Sequence, residues 1–139
     1  MKYNVALISG GYSKEDVVSF NSAKEIAKSI DKSRFNVFQV LINREKWVLV
    51  DLDGKTYPVD KNNFSVKRNG ETINFDLAFI TIHGAPGEDG RLQGYFDMIQ
   101  LPYTTCNAFT SSLTFNKVAT KRYLQMIGVH TAPYIFLRQ

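Results

Sequence analysis

Residues 3–9, YNVALIS, are rich in apolar and β-branched side chains, and the run stops at Gly10-Gly11. A buried strand that ends in a tight turn reads this way. Beyond the glycines, Val17, Phe20, Ala23, Ala27 and Ile30 recur at close to helical spacing, which predicts a helix over 14–31 with that face on a sheet. FNVFQVLI, residues 35–42, is a second strand. Strand, helix, strand constrains the chain more than any other feature. Two strands joined by a helical crossover lie parallel, and a parallel sheet needs layers packed on it.

The middle of the chain changes character. Residues 46–74 alternate and carry Asp53-Gly54 and Asn69-Gly70, dipeptides that favour the positive φ of tight hairpins, so one or two antiparallel hairpins are expected there. LAFITI, residues 77–82, is the next buried strand; a glycine-rich loop and a helix over about 90–100 follow. LPYTTCNA reads as a short strand and loop. Residues 110–128 read as a short helix and then a longer one, with Leu113, Val118, Leu124 and Ile127 on the buried side and Gly128 just past its end. The fold class is therefore α/β, a mainly parallel sheet with helices on both faces and an inserted antiparallel hairpin region.

Length allows one domain, or one domain and part of another, for 139 residues. A composition of 44% hydrophobic and 22% charged residues suits a globular core, and no apolar run approaches the ~20 residues of a membrane span. One cysteine, Cys106, excludes an internal disulfide framework and a cysteine-based zinc cluster. MKYNVALISGG runs straight into the first strand and lacks the features of a secretory signal, so a cytoplasmic location is expected. The net charge of +4 comes from scattered lysines, with no block of like charge, which argues against a nucleic-acid surface. The last segment, APYIFLRQ, stops in an apolar, strand-like stretch, and the sequence is expected to be a piece of a longer protein.

In folds of this class ligands sit beyond the carboxyl ends of the strands. Two glycine-bearing loops fall there. In GGYSKEDVVS, the glycines let the backbone turn sharply, and Glu15 stands in the first turn of a helix, where the dipole favours its ionised form. A carboxylate so placed attracts an ammonium or hydroxyl group, or it is only first-turn decoration; spacing leaves both readings open. Neither the dinucleotide fingerprint nor a P-loop is present. In HGAPGEDGRLQG, His83 sits at a strand end, and Gly84, Gly87 and Gly90 expose backbone N–H groups. Glu88 is placed to pair with His83, and Asp89 to cap the next helix. His83 and His130 are far apart and make a poor metal site, so no metal ligand is assigned.

Taken together, GGYSKEDVVS, HGAPGEDGRLQG, then LPYT and NKVATKRYLQMIGVHTAP resemble the D-alanine–D-alanine ligases of bacterial cell-wall synthesis. The resemblance implies a Rossmann-like pre-ATP-grasp domain over 1–108 and the opening of an ATP-grasp region over 109–139. It implies ATP-dependent joining of two D-alanine molecules through an acyl phosphate, with ATP and Mg2+ bound mainly by parts beyond this chain, and a homodimeric protein. Residue by residue, Glu15 matches the acid that holds the ammonium of the first D-alanine, and is assigned the catalytic place. His83 and Gly84 line the same subsite, and Lys117 reaches ATP phosphate. This chain by itself is then expected to be inactive. Alternatives are a ligase that joins D-alanine to D-lactate or D-serine, and a non-catalytic Rossmann-like binding module.

Three places in the chain depart from the family pattern. Val17 stands where a second acid is common. Thr105-Cys106-Asn107 replaces a small-residue turn, with Asn107 expected to tolerate the left-handed region. Asn116 replaces the Asp that usually precedes the lysine.

Overall fold

A computed structural model describes residues 2–13 and 16–137. The element order is β1 (Tyr3–Gly10), α1 (Asp16–Ser29), β2 (Phe35–Ile42), β3 (Trp47–Val50), β4 (Thr56–Asp60), β5 (Ser65–Arg68), β6 (Glu71–Ile73), β7 (Leu77–Ile80), α2 (Arg91–Met98), α3 (Ala108–Phe115) and α4 (Lys117–Met126). The strands form one sheet in the order β6-β5-β4-β3-β2-β1-β7. Its parallel part is β2-β1-β7, with β1 in register from Tyr3↔Phe35 to Gly10↔Ile42 on one side and from Val5↔Leu77 to Ile8↔Ile80 on the other. The predicted strand–helix–strand unit is thus present, with α1 as its crossover.

Residues 46–74 form the antiparallel insertion: β3 to β6 continue the sheet outward from β2 as a meander. Asn69 (φ 53°) and Gly70 (φ 87°) are the two residues between β5 and β6, the positive pair a tight hairpin turn requires. LPYTTCNA makes a single parallel bridge, Ala78↔Tyr103, instead of a strand. Around it the Ala78 N–H donates to Pro102 O, and its C=O accepts from Thr104 N.

The side chains of Ala6, Ile8, Val40 and Ile42 share one core with Phe64, Phe75, Leu92 and Phe96, so α2 covers that face. Phe64 is its aromatic hub, 5.0 Å from the Phe96 ring centroid and 5.6 Å from that of Phe75. Side chains alternate across a strand, so the buried Val5 and Leu7 point to the opposite face. There Phe79, the register partner of Leu7, shares a cleft with Ser22 and Ile26 of α1. Helices on both faces are therefore observed.

Two helix faces differ from expectation. On α1, Val17 is 64% exposed and Phe20 36%, while Ser19 is fully buried and Ala23 nearly so. The buried stripe begins at Ser19 because its hydroxyl has a bonding task under the helix, described below. On α4 no residue is buried, and Val118 and Leu124 are half-buried; Ile127, just past its end, is 56% exposed, and Leu113 of α3 is half-buried. The described chain supplies no further layer over α3, α4 and residues 129–137, where Phe109, Met126, Ile135 and Leu137 are 70% exposed or more. No helix of the described residues is long and apolar enough to cross a membrane.

Candidate active site

The carboxyl ends of the adjacent parallel strands β1 and β7 carry the two loops, and backbone bonds hold the loops together. Gly10 closes β1 at φ +103°, a conformation that L side chains rarely adopt. The Gly11 N–H donates to Ile42 O and the Tyr12 N–H to Ala85 O, each at 2.8 Å. The second of these bonds ties the first loop directly to the histidine loop.

Under α1 a buried polar chain joins the same parts. The Gly10 N–H donates to Ser19 Oγ at 3.0 Å, and Ser19 Oγ lies 3.3 Å from Thr81 Oγ1. Thr81 Oγ1 donates to Ile8 O at 2.8 Å. One proton order satisfies the chain: Gly10 N–H to Ser19, Ser19 O–H to Thr81, Thr81 O–H to the carbonyl. Both hydroxyls are almost excluded from solvent, where an unmade bond costs about 1–3 kcal/mol.

The histidine loop folds on itself. The carboxylate of Glu88 accepts the Gly84 N–H at 2.7 Å, and Gly84 O accepts the N–H groups of Gly87 and Glu88, each at 2.9 Å. Glu88 therefore holds Gly84, where pairing with His83 was expected; its side chain reaches back one turn to a donor that the turn leaves open. The Ala85–Pro86 peptide is cis. At Gly87 an added Cβ would lie 2.6 Å from Ile82 O, so the loop passes too close to the strand end for any side chain. Gly90, not Asp89, is the N-cap residue of α2. Asp89 still serves the first turn, accepting the Arg91 N–H at 3.2 Å and pairing with Arg91 Nε at 3.3 Å.

His83 is exposed and lines a cleft of about 240 Å³ with Ser22, Ile26, Phe79 and Thr81. Lys117, the first residue of α4, is exposed and lines a second cleft of about 390 Å³ with Cys106, Ser111 and Thr114. Gly87, Glu88 and Thr105 line both, so these three residues form the wall between the clefts. Glu15 lies outside the described residues; α1 begins at the residue after it. A larger groove of about 660 Å³ includes Lys2, Phe35 and Leu52 and lies toward the opposite end of the parallel strands, away from both loops.

Asn107 and Asn116, two of the departures from the family pattern, have definite tasks. Asn107 is extended (φ −63°, ψ 168°), not left-handed, and its side chain accepts the Thr110 N–H as the N-cap of α3. Asn116 caps α4 in the same way through Ala119 N, which separates α3 from α4 and sets Lys117 at a helix start. An Asn side chain satisfies an open N–H as well as Asp does. Cys106 is exposed, with Ser111 Oγ 3.2 Å from its sulfur. Sequence reasoning missed Ser19, Thr81 and Gln93. Polar residues inside helical or strand stripes that face a core were the available signal.

The model for the D-ala D-ala ligase N-terminus matches residues 4–106. The chain belongs to this family. It is 50% identical over 137 residues to the D-alanine--D-alanine ligase of Parabacteroides distasonis, covering 99% of this chain and 42% of that protein. Among solved structures, D-alanyl-alanine synthetase A from Vibrio cholerae matches with a TM-score of 0.87 at 29% identity, over 99% of this chain and 41% of that one. The D-alanine--D-alanine ligase of Bacillus anthracis complexed with ATP matches with a TM-score of 0.71 at 26% identity, over 96% of this chain and 40% of that one. The chain thus spans about 42% of the length of the curated ligase it resembles at 50% identity. Both loops of the candidate site fall inside the residues that the ligase family model matches.

Proposed function

We propose that this chain is the amino-terminal part of an ATP-dependent ligase that joins two D-alanine molecules for peptidoglycan precursor synthesis. Residues 1–108 form its pre-ATP-grasp domain and 109–139 open its ATP-grasp region. One observation carries the reading: two glycine-bearing loops are bonded to each other at the carboxyl ends of β1 and β7, beside a wall shared by the His83 cleft and the Lys117 cleft.

The reaction asks for two subsites side by side. A carboxylate oxygen of the first D-alanine attacks the γ-phosphorus of ATP, the bond to ADP breaks, and an acyl phosphate forms. The amine of the second D-alanine then attacks the carbonyl carbon, the C–O bond to phosphate breaks, and the amine loses a proton. Such a reaction depends on positioning and charge neutralisation. Glu15 is assigned to the ammonium of the first D-alanine, and His83 and Gly84 to the edge of that subsite. The Gly84 N–H is already held by Glu88, so Gly84 contributes shape to the subsite more than a donor. The Lys117 ammonium, exposed at the start of α4, suits phosphate oxygens of ATP. No group of three or more His, Cys, Asp or Glu gathers among the described residues, and following the resemblance magnesium is assigned mainly to parts beyond this chain. Following the resemblance, the whole protein is taken as a cytoplasmic homodimer.

Isotope transfer tests the acyl-phosphate route. D-alanine labelled with 18O in its carboxylate is supplied with ATP to the full-length protein. One 18O per released phosphate is expected, and unlabelled phosphate alongside dipeptide contradicts the route.

A further inference from the structure

Gln93 of α2 is the one fully buried side-chain amide among the described residues. Burying an amide costs roughly 1–3 kcal/mol unless its bonds are made. Its Nε2 donates to Gly87 O at 2.6 Å and to Thr105 Oγ1 at 2.9 Å. Its Oε1 has no hydrogen-bond partner among the described residues. The orientation follows from chemistry: Gly87 O is a carbonyl and only accepts, so the NH2 group must face it. The position therefore keeps an amide for its two protons and tolerates an unmatched acceptor.

Both partners belong to the wall between the clefts. Gly87 comes from the histidine loop, and Thr105 from the loop that leads into α3 and the Lys117 cleft. A single side chain on α2 holds the two together from beneath.

Resting on the ligase reading above, we propose that Gln93 is a positioning residue that sets the amino-acid cleft against the phosphate cleft, so that carboxylate and γ-phosphate meet in line. Gln93 ties together the two wall residues that the clefts share, so altering it changes chiefly how the clefts are placed relative to each other. The consequence is a loss in kcat with little change in the KM of either substrate. A displacement near 1 Å between reacting groups costs on the order of 10²-fold in rate.

The test uses the full-length protein, with kcat expressed per folded active site. In Gln93→Met, kcat falls by roughly 10–100-fold while the KM values for ATP and D-alanine stay within about 3-fold. Should that variant fail to fold, the Thr105 pair decides. Thr105→Val keeps the shape and removes the acceptor, and lowers kcat by about 3–10-fold; Thr105→Ser keeps the hydroxyl and recovers most of that loss. A purely structural role lowers the melting temperature and the folded fraction but leaves kcat per site unchanged, and that result overturns the proposal. Equal losses in the Val and Ser variants overturn it too. If the unmutated protein releases no D-alanine-dependent phosphate, the ligase reading fails and this proposal falls with it. Unmutated activity with undisturbed variants removes this proposal alone.

Discussion

Ser19 lies on the buried face of α1, and its hydroxyl stands between the end of β1 and the end of β7. Replacing it by alanine leaves the Gly10 N–H without its acceptor and Thr81 without its donor. Ser19→Ala is expected to cost about 1–3 kcal/mol of stability, read from urea unfolding. Thr81→Val should cost a similar amount, and the double variant less than the sum, because the two hydroxyls act as one chain. A double variant equal to the sum would show that the two bonds are independent. At this scale the sequence marked His83 and Lys117 by motif, and each of them lines a cleft. It was illegible at Ser19, where helical spacing pointed to Val17 and Phe20. A periodic pattern weighs apolar area alone, and a strand-end N–H that needs an acceptor leaves no trace in it. Glu88 went to Gly84 for a related reason, since a backbone donor four residues back is a local partner that no side-chain pairing rule counts.

At the scale of elements, alternation and turn dipeptides carried the most information. The crossover unit, the antiparallel insertion and the Asn69-Gly70 turn all follow from short-range sterics, which a single sequence contains. The strand expected after α2 shrank to one bridge, because Tyr103 meets β7 only at Ala78. The insertion and α2 meet at Tyr95, whose ring packs on Trp47, Phe64 and Phe96 and whose hydroxyl donates to Lys61 O. Burial, then the nearby charge of Asp60, pushes its hydroxyl up from 10.0 to about 12. Above pH 10 the unfolded chain releases this proton while the folded one keeps it. The unfolded state then binds fewer protons, and stability falls as pH rises from 10 toward 12. Tyr95→Phe should flatten the fall in that window, as measured by urea midpoints across pH, and should remove the latest-titrating part of the tyrosinate absorbance. An unchanged pH profile would show that the insertion does not enclose this hydroxyl.

The whole molecule is a sheet with two helical layers and a third helical group left bare. Phe109, Met126, Ile135 and Leu137 stay exposed while the sheet core is closed. The core was legible in the sequence because both of its layers are encoded within this chain. The face of α4 was not, because apolar spacing reports that a side chain wants cover without reporting where the cover comes from. The ligases that this chain resembles are more than twice its length, with this chain covering 42–43% of several of them. On the proposed function, the two bonded loops belong to the first-substrate subsite of such a ligase. The measurement that tests it most directly is phosphate release by the full-length protein with ATP, magnesium and D-alanine, run beside Glu15→Gln. Release is expected to require D-alanine and to fall by ~10²-fold or more in the variant, a loss of about 3 kcal/mol of transition-state stabilisation. Release that is indifferent to D-alanine, or a Glu15→Gln variant as active as the unmutated protein, would contradict it.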